Sequence, residues 1–270
     1  MPKRIVEGLV LCLVLFSLPV WAEEWSKTFE LNGKADLRVE TNDARVQVEA
    51  WDRSEIDARV ISEGMRIGVW GGSEDHRVRV RDFQSGNHVE LDVRIPNTGW
   101  IFGVNTRSVR IEIRLPREAS LDIHSGDGDL SVRGLKGEIN LSTQDGRIDA
   151  DSLDGVLRAS SGDGNMRVQG RFHSLSLKTG DGTISAQIKE GSQMDSAWSL
   201  RSGDGDVELS LPDDFAADID VHTGDGRITS DLPITLSGSP DQSSLRGTLK
   251  GGGPILSVHT GDGSIHLKRL

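Results

Sequence analysis

The sequence has one cysteine, no excess of basic residues and a single long apolar run, and each scarcity excludes a class of protein. Lys and Arg number 31 against 42 Asp and Glu in 270 residues, which gives a formal net charge of −11. This balance argues against a protein that binds the phosphate backbone of a nucleic acid. The single cysteine, Cys12, lies inside the apolar run, so the rest of the chain must fold without disulfides.

Glycine, by contrast, is abundant. Hydrophobic residues make up 35% of the chain, and adding the 32 glycines to the apolar class brings its share into the ordinary range of folded proteins. The glycines follow no collagen period and form no low-complexity block. They therefore predict many turns that need a positive φ.

Residues 1–22 have the pattern of a signal peptide. Lys3 and Arg4 precede an apolar run over residues 9–20, and a small residue, Ala22, stands where a signal peptidase would cleave. The pattern predicts an exported protein, periplasmic or extracellular, that is soluble after the segment is cleaved.

Two alternatives for the same segment stay open. One is a retained membrane anchor, although the run is several residues short of the ~20 that span a bilayer. The other is lipidation at Cys12, where Leu11 occupies a position that lipoprotein processing reserves for a small residue.

A short string, Ser/Thr-Gly-Asp-Gly, recurs along the second half of the chain. Its aspartates are Asp127, Asp163, Asp181, Asp204, Asp225 and Asp262, and a near copy surrounds Asp145. The first four aspartates are 18 residues apart, and the later steps are 23, 21 and 37 residues. A period held three times in succession indicates a repeat architecture. Residues 37–48, with Asn42-Asp43 at the corner, form a degenerate copy.

Apolar and polar residues alternate on both sides of each aspartate. The residues six positions before it are Leu121, Ile139, Leu157, Leu175, Trp198, Ile219 and Leu256. The residue at the fourth position before each aspartate and the residue at the third position after it are also apolar. A period of two on both sides of a corner predicts two half-buried strands joined by a tight turn. Ser or Thr always stands two positions before the aspartate, and we expect its hydroxyl to satisfy backbone groups of the corner.

Two all-β architectures fit this pattern. In a β-solenoid, each ~18-residue unit forms one coil of two strands and two corners, with the second corners at residues 134–137 and 151–155. In the alternative, the Asp-Gly turns join β-hairpins in a meander or sandwich. Like residues at like positions favour the solenoid, because stacked coils place them side by side.

The predicted segments are a signal peptide (1–22), an N-terminal β segment with the degenerate repeat and aromatic loops (23–115), and a repeat solenoid (116–270).

Three passages, residues 41–52, 113–128 and 245–267, carry a resemblance to a known family. Across them the chain resembles the bacterial putative-adhesin family of β-solenoid domains of unknown function, related to the GIN-type head domain of auto-transporter adhesins. The resemblance implies a single-stranded right-handed β-helix on an exported envelope protein. It supplies no catalytic residues.

Stacked coils would align the repeat aspartates in a ladder. Carboxylates about 4.8 Å apart repel by about 0.9 kcal/mol at water-like screening, so solvent, backbone N–H groups or a bound cation must offset the repulsion. The candidate metal ligands are Asp127, Asp145, Asp163 and Asp181. Calcium is the cation this pattern suggests, although calcium-binding repeats carry an aspartate every nine residues. Turn chemistry without a metal is the alternative.

No set of residues predicts catalysis. No histidine recurs with the serines and threonines of the repeat, and nothing singles out one pair of the many carboxylates for glycoside cleavage. His124, His222 and His259 stand three positions before their aspartates, at polar positions that should face solvent. A polysaccharide-acting enzyme on a β-helix remains an alternative by analogy of fold.

Two glycine-bounded loops in the N-terminal segment carry aromatic tips. Their candidate binding residues are Trp70 in the loop at 65–76, and Trp100, Ile101 and Phe102 in the loop at 97–105. Such tips can form a patch for a protein, a glycan or a lipid surface. Alternatively, they fold over one end of the solenoid and close its core.

Together these features predict an exported, non-enzymatic envelope protein that acts as an adhesin or an interaction scaffold. Its expected partner is an envelope protein or a surface glycan, with no nucleic acid and no membrane span after cleavage. A calcium-stabilised structural module is a further alternative. No cofactor other than calcium is suggested.

Overall fold

The computed structural model describes residues 23–63, 78–96, 108–237 and 241–270, and every regular element in these ranges is a β-strand. The strands are β1 (Glu23–Glu30), β2 (Ala35–Thr41), β3 (Arg45–Trp51), β4 (Glu55–Glu63), β5 (Arg79–Ser85), β6 (His88–Arg94), β7 (Ser108–Pro116), β8 (Glu118–His124), β9 (Leu130–Arg133), β10 (Lys136–Ser142), β11 (Ile148–Ser160), β12 (Met166–Lys178), β13 (Ile184–Ile188), β14 (Trp198–Arg201), β15 (Val207–Leu211), β16 (Ala217–Thr223), β17 (Ile228–Ser230), β18 (Thr235–Leu236), β19 (Ser244–Leu249), β20 (Ile255–Thr260) and β21 (Ile265–Arg269). None of the described residues belongs to a helix that could cross a membrane.

The alternation in the sequence determines which side of each strand is buried. All seven residues at the sixth position before a repeat aspartate are buried, as are all seven at the fourth position before it. At the third position after it, six are buried and Ile228 is half-buried. The predicted inward positions are therefore confirmed, and they form one continuous apolar core.

Strands from successive repeats lie side by side and parallel. Leu121 of β8 is in register with Ile139 of β10, which is in register with Leu157 of β11. These partners occupy the same position in consecutive 18-residue units. The two strands that flank a Gly-Asp-Gly corner lie on different faces of the molecule and pair with neighbouring coils, not with each other. The β-solenoid is thus confirmed, and the hairpin meander is wrong for the repeat.

The strands form two faces around the core. The first face contains the strands that precede the corners, in the order β5, β6, β2, β8, β10, the second half of β11, the second half of β12, β14, β20, β16, β19 and β18. The second face has the order β1, β4, β7, β3, β9, the first half of β11, the first half of β12, β13, β15, β21 and β17. Antiparallel pairs occur only near the two ends of the described stack.

The order of coils in space differs from their order in the chain. The first coil, β2 with β3, lies between the coil of β6 and β7 and the coil of β8 and β9. The last coil, β20 with β21, lies between the coil of β14 and β15 and the coil of β16 and β17. Each terminal coil is therefore hydrogen-bonded on both sides. The N-terminal β segment and the repeat form one continuous stack.

This interleaving explains the longest step of the repeat. The 37-residue step from Asp225 to Asp262 contains β17, β18 and β19. Over this stretch the chain passes to the outer side of β16 as β19 and then returns to its inner side as β20. The step is long because the chain builds the end of the stack before it inserts its last coil.

The N-terminal end of the described stack is closed by contacts between the outermost strands of the two faces. Lys27 of β1 forms an ion pair with Asp82 of β5, and the amide of Gln84 donates to the Glu30 carbonyl at 2.8 Å. Charged side chains along β1 discourage pairing with another chain at this exposed edge.

The interleaving predicts that the last coil is as stable as a central one. Leu256, in the last coil, and Leu157, in a central coil, occupy the same repeat position, and both are 0% exposed. We expect Leu256→Ala and Leu157→Ala each to lower the free energy of unfolding by about 2–5 kcal/mol, as buried leucines do. Urea denaturation measures both. A cost for Leu256→Ala of less than about 1 kcal/mol, with the full cost for Leu157→Ala, would show that the chain end frays.

Candidate functional site

The Gly-Asp-Gly corners stack along one edge of the solenoid, which we call the aspartate edge. In spatial order its aspartates are Asp43, Asp127, Asp145, Asp163, Asp181, Asp204, Asp262 and Asp225. All eight are exposed. None makes an ion pair with another described residue, although the amide of Asn42 donates to the carboxylate of Asp43 at 3.1 Å. The edge thus carries one exposed carboxylate per coil over eight coils.

The corners are held together by backbone hydrogen bonds from coil to coil. The Gly162 N–H donates to the Gln144 carbonyl at 2.6 Å, and the Gly180 N–H donates in turn to the Gly162 carbonyl. The Asp163 N–H also donates to the Gln144 carbonyl, at 3.2 Å. Because the main chain makes these bonds, the carboxylates project from a rigid corner.

The corner glycines are required by close packing. A Cβ atom at Gly164 would overlap the Gly146 carbonyl oxygen, and one at Gly203 would lie 2.6 Å from the Gly180 carbonyl oxygen. None of the Gly-Asp-Gly glycines has a positive φ. The prediction that the glycine excess reflects positive φ is therefore wrong for these corners. It holds at the second corners, where Gly134 and Gly155 have φ of 77° and 123°.

A row of buried hydroxyls lies directly beneath the aspartate edge. Thr143 is 5% exposed, and its Oγ1 donates to the carbonyl oxygens of Gly126 and Gly128, at 2.8 and 3.1 Å. The same oxygen accepts the Gly146 N–H at 3.2 Å. Ser161 repeats the arrangement one coil further on. The predicted role of the Ser/Thr position, satisfying backbone groups of the corner, is confirmed.

Repulsion between neighbouring carboxylates is evident where the edge begins. Partial burial, and after it the negative charge of Asp127, raise the pKa of Asp43 above its ordinary value. Both causes oppose ionisation of Asp43. A cation placed along this edge would relieve the repulsion.

The predicted metal ligands Asp127, Asp145, Asp163 and Asp181 are brought into one line, one per coil. Among the described residues, no three His, Cys, Asp or Glu side chains converge closely enough to hold a metal ion. Calcium prefers six to eight oxygen ligands, and one carboxylate per coil supplies few of them. Calcium binding at this edge stays a prediction.

The three histidines lie on the first face. His124 is on β8, whereas His222 and His259 are opposite each other on β16 and β20, with ring centroids 6.2 Å apart. Burial lowers the pKa of His259, and the positive charges of Arg201 and Arg246 lower it further, while Asp220 acts in the opposite direction. His124 Nδ1 lies 3.4 Å from Asp122 Oδ1, and within the described ranges none of the three histidines belongs to a group that could hold a metal ion.

The aromatic binding candidates Trp70, Trp100, Ile101 and Phe102 lie outside the described residues. The strands that flank their segments end at the aspartate edge: Glu63 of β4 is opposite Ser108 of β7, and Arg79 of β5 is opposite Arg94 of β6. The described residues that flank the two segments therefore lie at the same edge, at the N-terminal end of the stack. Whether they bind or cap stays a prediction.

Sequence reasoning missed a group of arginines on the first face. Arg79, Arg81, Arg94 and Asp92 line an open depression of about 270 Å³ between β5 and β6. The alternation Arg79-x-Arg81-x-Phe83 was the available signal, but it does not reveal Arg94 without the register of the β5–β6 pair.

The buried hydroxyl row can be tested at Thr143. Thr143→Val keeps the shape of the side chain but removes the hydroxyl that donates to the Gly128 carbonyl and accepts the Gly146 N–H, whereas the Gly126 carbonyl still accepts the Gln144 N–H. We expect a loss of about 1–3 kcal/mol in the free energy of unfolding, measured by urea denaturation. Thr143→Ser keeps the hydroxyl and should recover most of the loss. Equal destabilisation by Val and Ser would mean that this position contributes packing alone.

Solved structures resemble the chain at low identity. A putative cell adhesion protein from Clostridium sporogenes is 13% identical, with 93% of this chain and 100% of that chain covered and a TM-score of 0.42. A putative adhesin from Bacteroides fragilis is 12% identical, with 92% of this chain and 97% of that chain covered and a TM-score of 0.47. A putative adhesin from Parabacteroides merdae is 10% identical, with 91% of this chain and 96% of that chain covered and a TM-score of 0.44. A comparison with curated proteins found no match.

A family model matches nearly the whole of the described chain. The match covers residues 34–268, from the strand before the degenerate corner to the last coil. It confirms the resemblance to a family of putative-adhesin domains of unknown function. The chain belongs to the Toastrack DUF4097 family.

Proposed function

We propose that the protein is an exported, non-enzymatic scaffold that binds a cationic partner along its aspartate edge. The observation that carries this proposal is the row of eight exposed carboxylates, none in an ion pair with a described residue, at a spacing of one coil. A partner with several positive charges would meet them in sequence.

Rigidity of the edge supports binding. The corner backbones are hydrogen-bonded to each other, and buried hydroxyls fix them from below. A partner therefore orders only the aspartate side chains and itself. Because preorganised groups cost less entropy on association, a rigid row of short side chains suits this role better than a flexible acidic tail would.

Charge supports the choice of partner. Partial burial, and after it the negative charge of Asp127, raise the pKa of Asp43, and a cationic partner would favour the ionised form of this carboxylate. The formal net charge of −11 adds long-range attraction for the same kind of partner. Binding of this kind weakens as salt screens exposed charges.

Export and an adhesive role are part of the proposal. The segment 1–22 is typical of a signal peptide. A rigid charged edge is suited to holding an envelope component. A calcium-dependent version of the proposal uses the same edge, with the ion bridging carboxylates of neighbouring coils.

The test is binding of hexalysine to the purified protein by isothermal titration calorimetry. The test variant is Asp145→Asn/Asp163→Asn/Asp181→Asn. The control, Glu190→Gln/Asp195→Asn/Asp214→Asn, removes the same charge from exposed loops away from the aspartate edge. We expect the test variant to bind about tenfold more weakly, equivalent to about 1.4 kcal/mol, and the control to bind nearly as the parent does. Equal losses would mean that net charge alone attracts the peptide, and would contradict the proposal.

Calcium is tested separately by thermal melting. If calcium bridges the edge, excess calcium raises the melting temperature relative to a chelator in the parent and the control, and does not in the test variant. A melting temperature that is the same in calcium and chelator excludes the calcium-dependent version and leaves the peptide result unaffected.

A further inference from the structure

We propose that the first face carries, at its β5–β6 end, a binding site for an acidic sugar, formed by Arg79, Arg81, Arg94 and Phe83. The site lies on a sheet face, and its chemistry is opposite to that of the aspartate edge. It therefore goes beyond the proposed function and stands without it.

The register of the β5–β6 pair assembles the group. Arg79 is opposite Arg94, Arg81 is opposite Asp92, and Phe83 is opposite Glu90. Arg79, Arg81 and Phe83 are alternate residues of one strand, so they share its outward face, and all three are exposed. The arginines and Asp92 line the depression of about 270 Å³, which is large enough for one sugar unit.

Arg94 is the fixed element of the site. Its Nε lies 2.6 Å from Asp92 Oδ1, and its terminal nitrogen donates to Glu40 at 3.3 Å. Glu40 is held in turn by Arg38 at 2.7 Å. A guanidinium oriented in this way has lost part of its side-chain entropy before a ligand arrives.

Three arginines and one carboxylate are the described residues that line the depression. Of these, Asp92 is engaged by Arg94, and Arg81 makes no ion pair within the described ranges. Arg79 and Arg94 lie directly across the antiparallel pair from each other. Guanidinium groups bind carboxylate and phosphate oxygens in a bidentate fashion, so an oxyanion between the two arginines would meet donors from both strands.

Phe83 indicates that the oxyanion belongs to a sugar. Its exposure of 56% is the highest of any large apolar side chain among the described residues, and it is two residues from Arg81 on the same outward face. An exposed aromatic ring offers a flat apolar surface against which the C–H face of a sugar ring can pack. A long polyanion is disfavoured by the net charge of −11, so the ligand is a short saccharide with one or a few acidic groups.

The experiment is calorimetric titration of the purified protein with trigalacturonate, with neutral maltotriose and with inorganic phosphate. We expect trigalacturonate to bind at least about tenfold more tightly than maltotriose, since each bidentate contact with an ion contributes more than a neutral hydrogen bond. Phe83→Ala should weaken trigalacturonate binding and leave phosphate binding unchanged. No measurable binding of trigalacturonate, or equal affinity for maltotriose, overturns the proposal.

A matched pair of charge variants locates the site. Arg79→Gln/Arg81→Gln removes two charges at the depression. Lys178→Gln/Arg201→Gln removes two from neighbouring strands of the same face, at the distant β12–β14 part of the stack. With thermal melts checking that both variants fold, the first should lose about tenfold in affinity and the second less than about twofold. Equal losses overturn the proposal, whereas the hexalysine result with the aspartate variants bears only on the proposed function.

Discussion

The close stacking of glycine corners is the constraint on which the rest of the structure depends. Each corner approaches the next so closely that a Cβ at Gly164 would overlap a carbonyl oxygen, and the main-chain bonds across this contact set the register of both adjoining strands. With the register set, apolar residues six and four positions before the aspartate stack on their equivalents. The aspartate itself is left as the one side chain of the corner that points away from the contact.

Interleaving gives this repeat protein a property that a simple stack lacks. In a solenoid whose coils follow chain order, each terminal coil has a neighbour on one side only. Here the first and last coils are enclosed, and the described ends are built by antiparallel excursions such as β1 with β4 and β18 with β19. The chain thereby achieves, without disulfides, contacts of long sequence separation that join its ends to its middle. Such contacts slow folding and favour a cooperative native state.

Sequence alone predicted the local unit well. The alternation identified the inward residues, and parity placed the hydroxyl of Thr143 beneath the corner, because the side of a strand that a residue faces follows from its position in the strand. It could not predict the order of the coils, since equivalent residues such as Leu256 and Leu157 would fit between many pairs of coils. It also gave the wrong cause for the corner glycines, because the carbonyl that excludes a Cβ belongs to another coil. Arg94 was missed for the same reason, as its partners lie on β2 and β5.

The two proposed surfaces follow from one scaffold. Corners whose glycines are required by close packing each expose an aspartate and so give an acidic edge, and outward strand positions free of packing constraints can collect arginines and an aromatic ring. Both surfaces depend on the corners remaining in contact.

Whether close contact between the corners holds the stack together is tested most directly by the free energy of unfolding of Gly164→Ala, measured by urea denaturation. We expect a loss of about 1–3 kcal/mol or more, since the added methyl group forces two coils apart. Unchanged stability would contradict it.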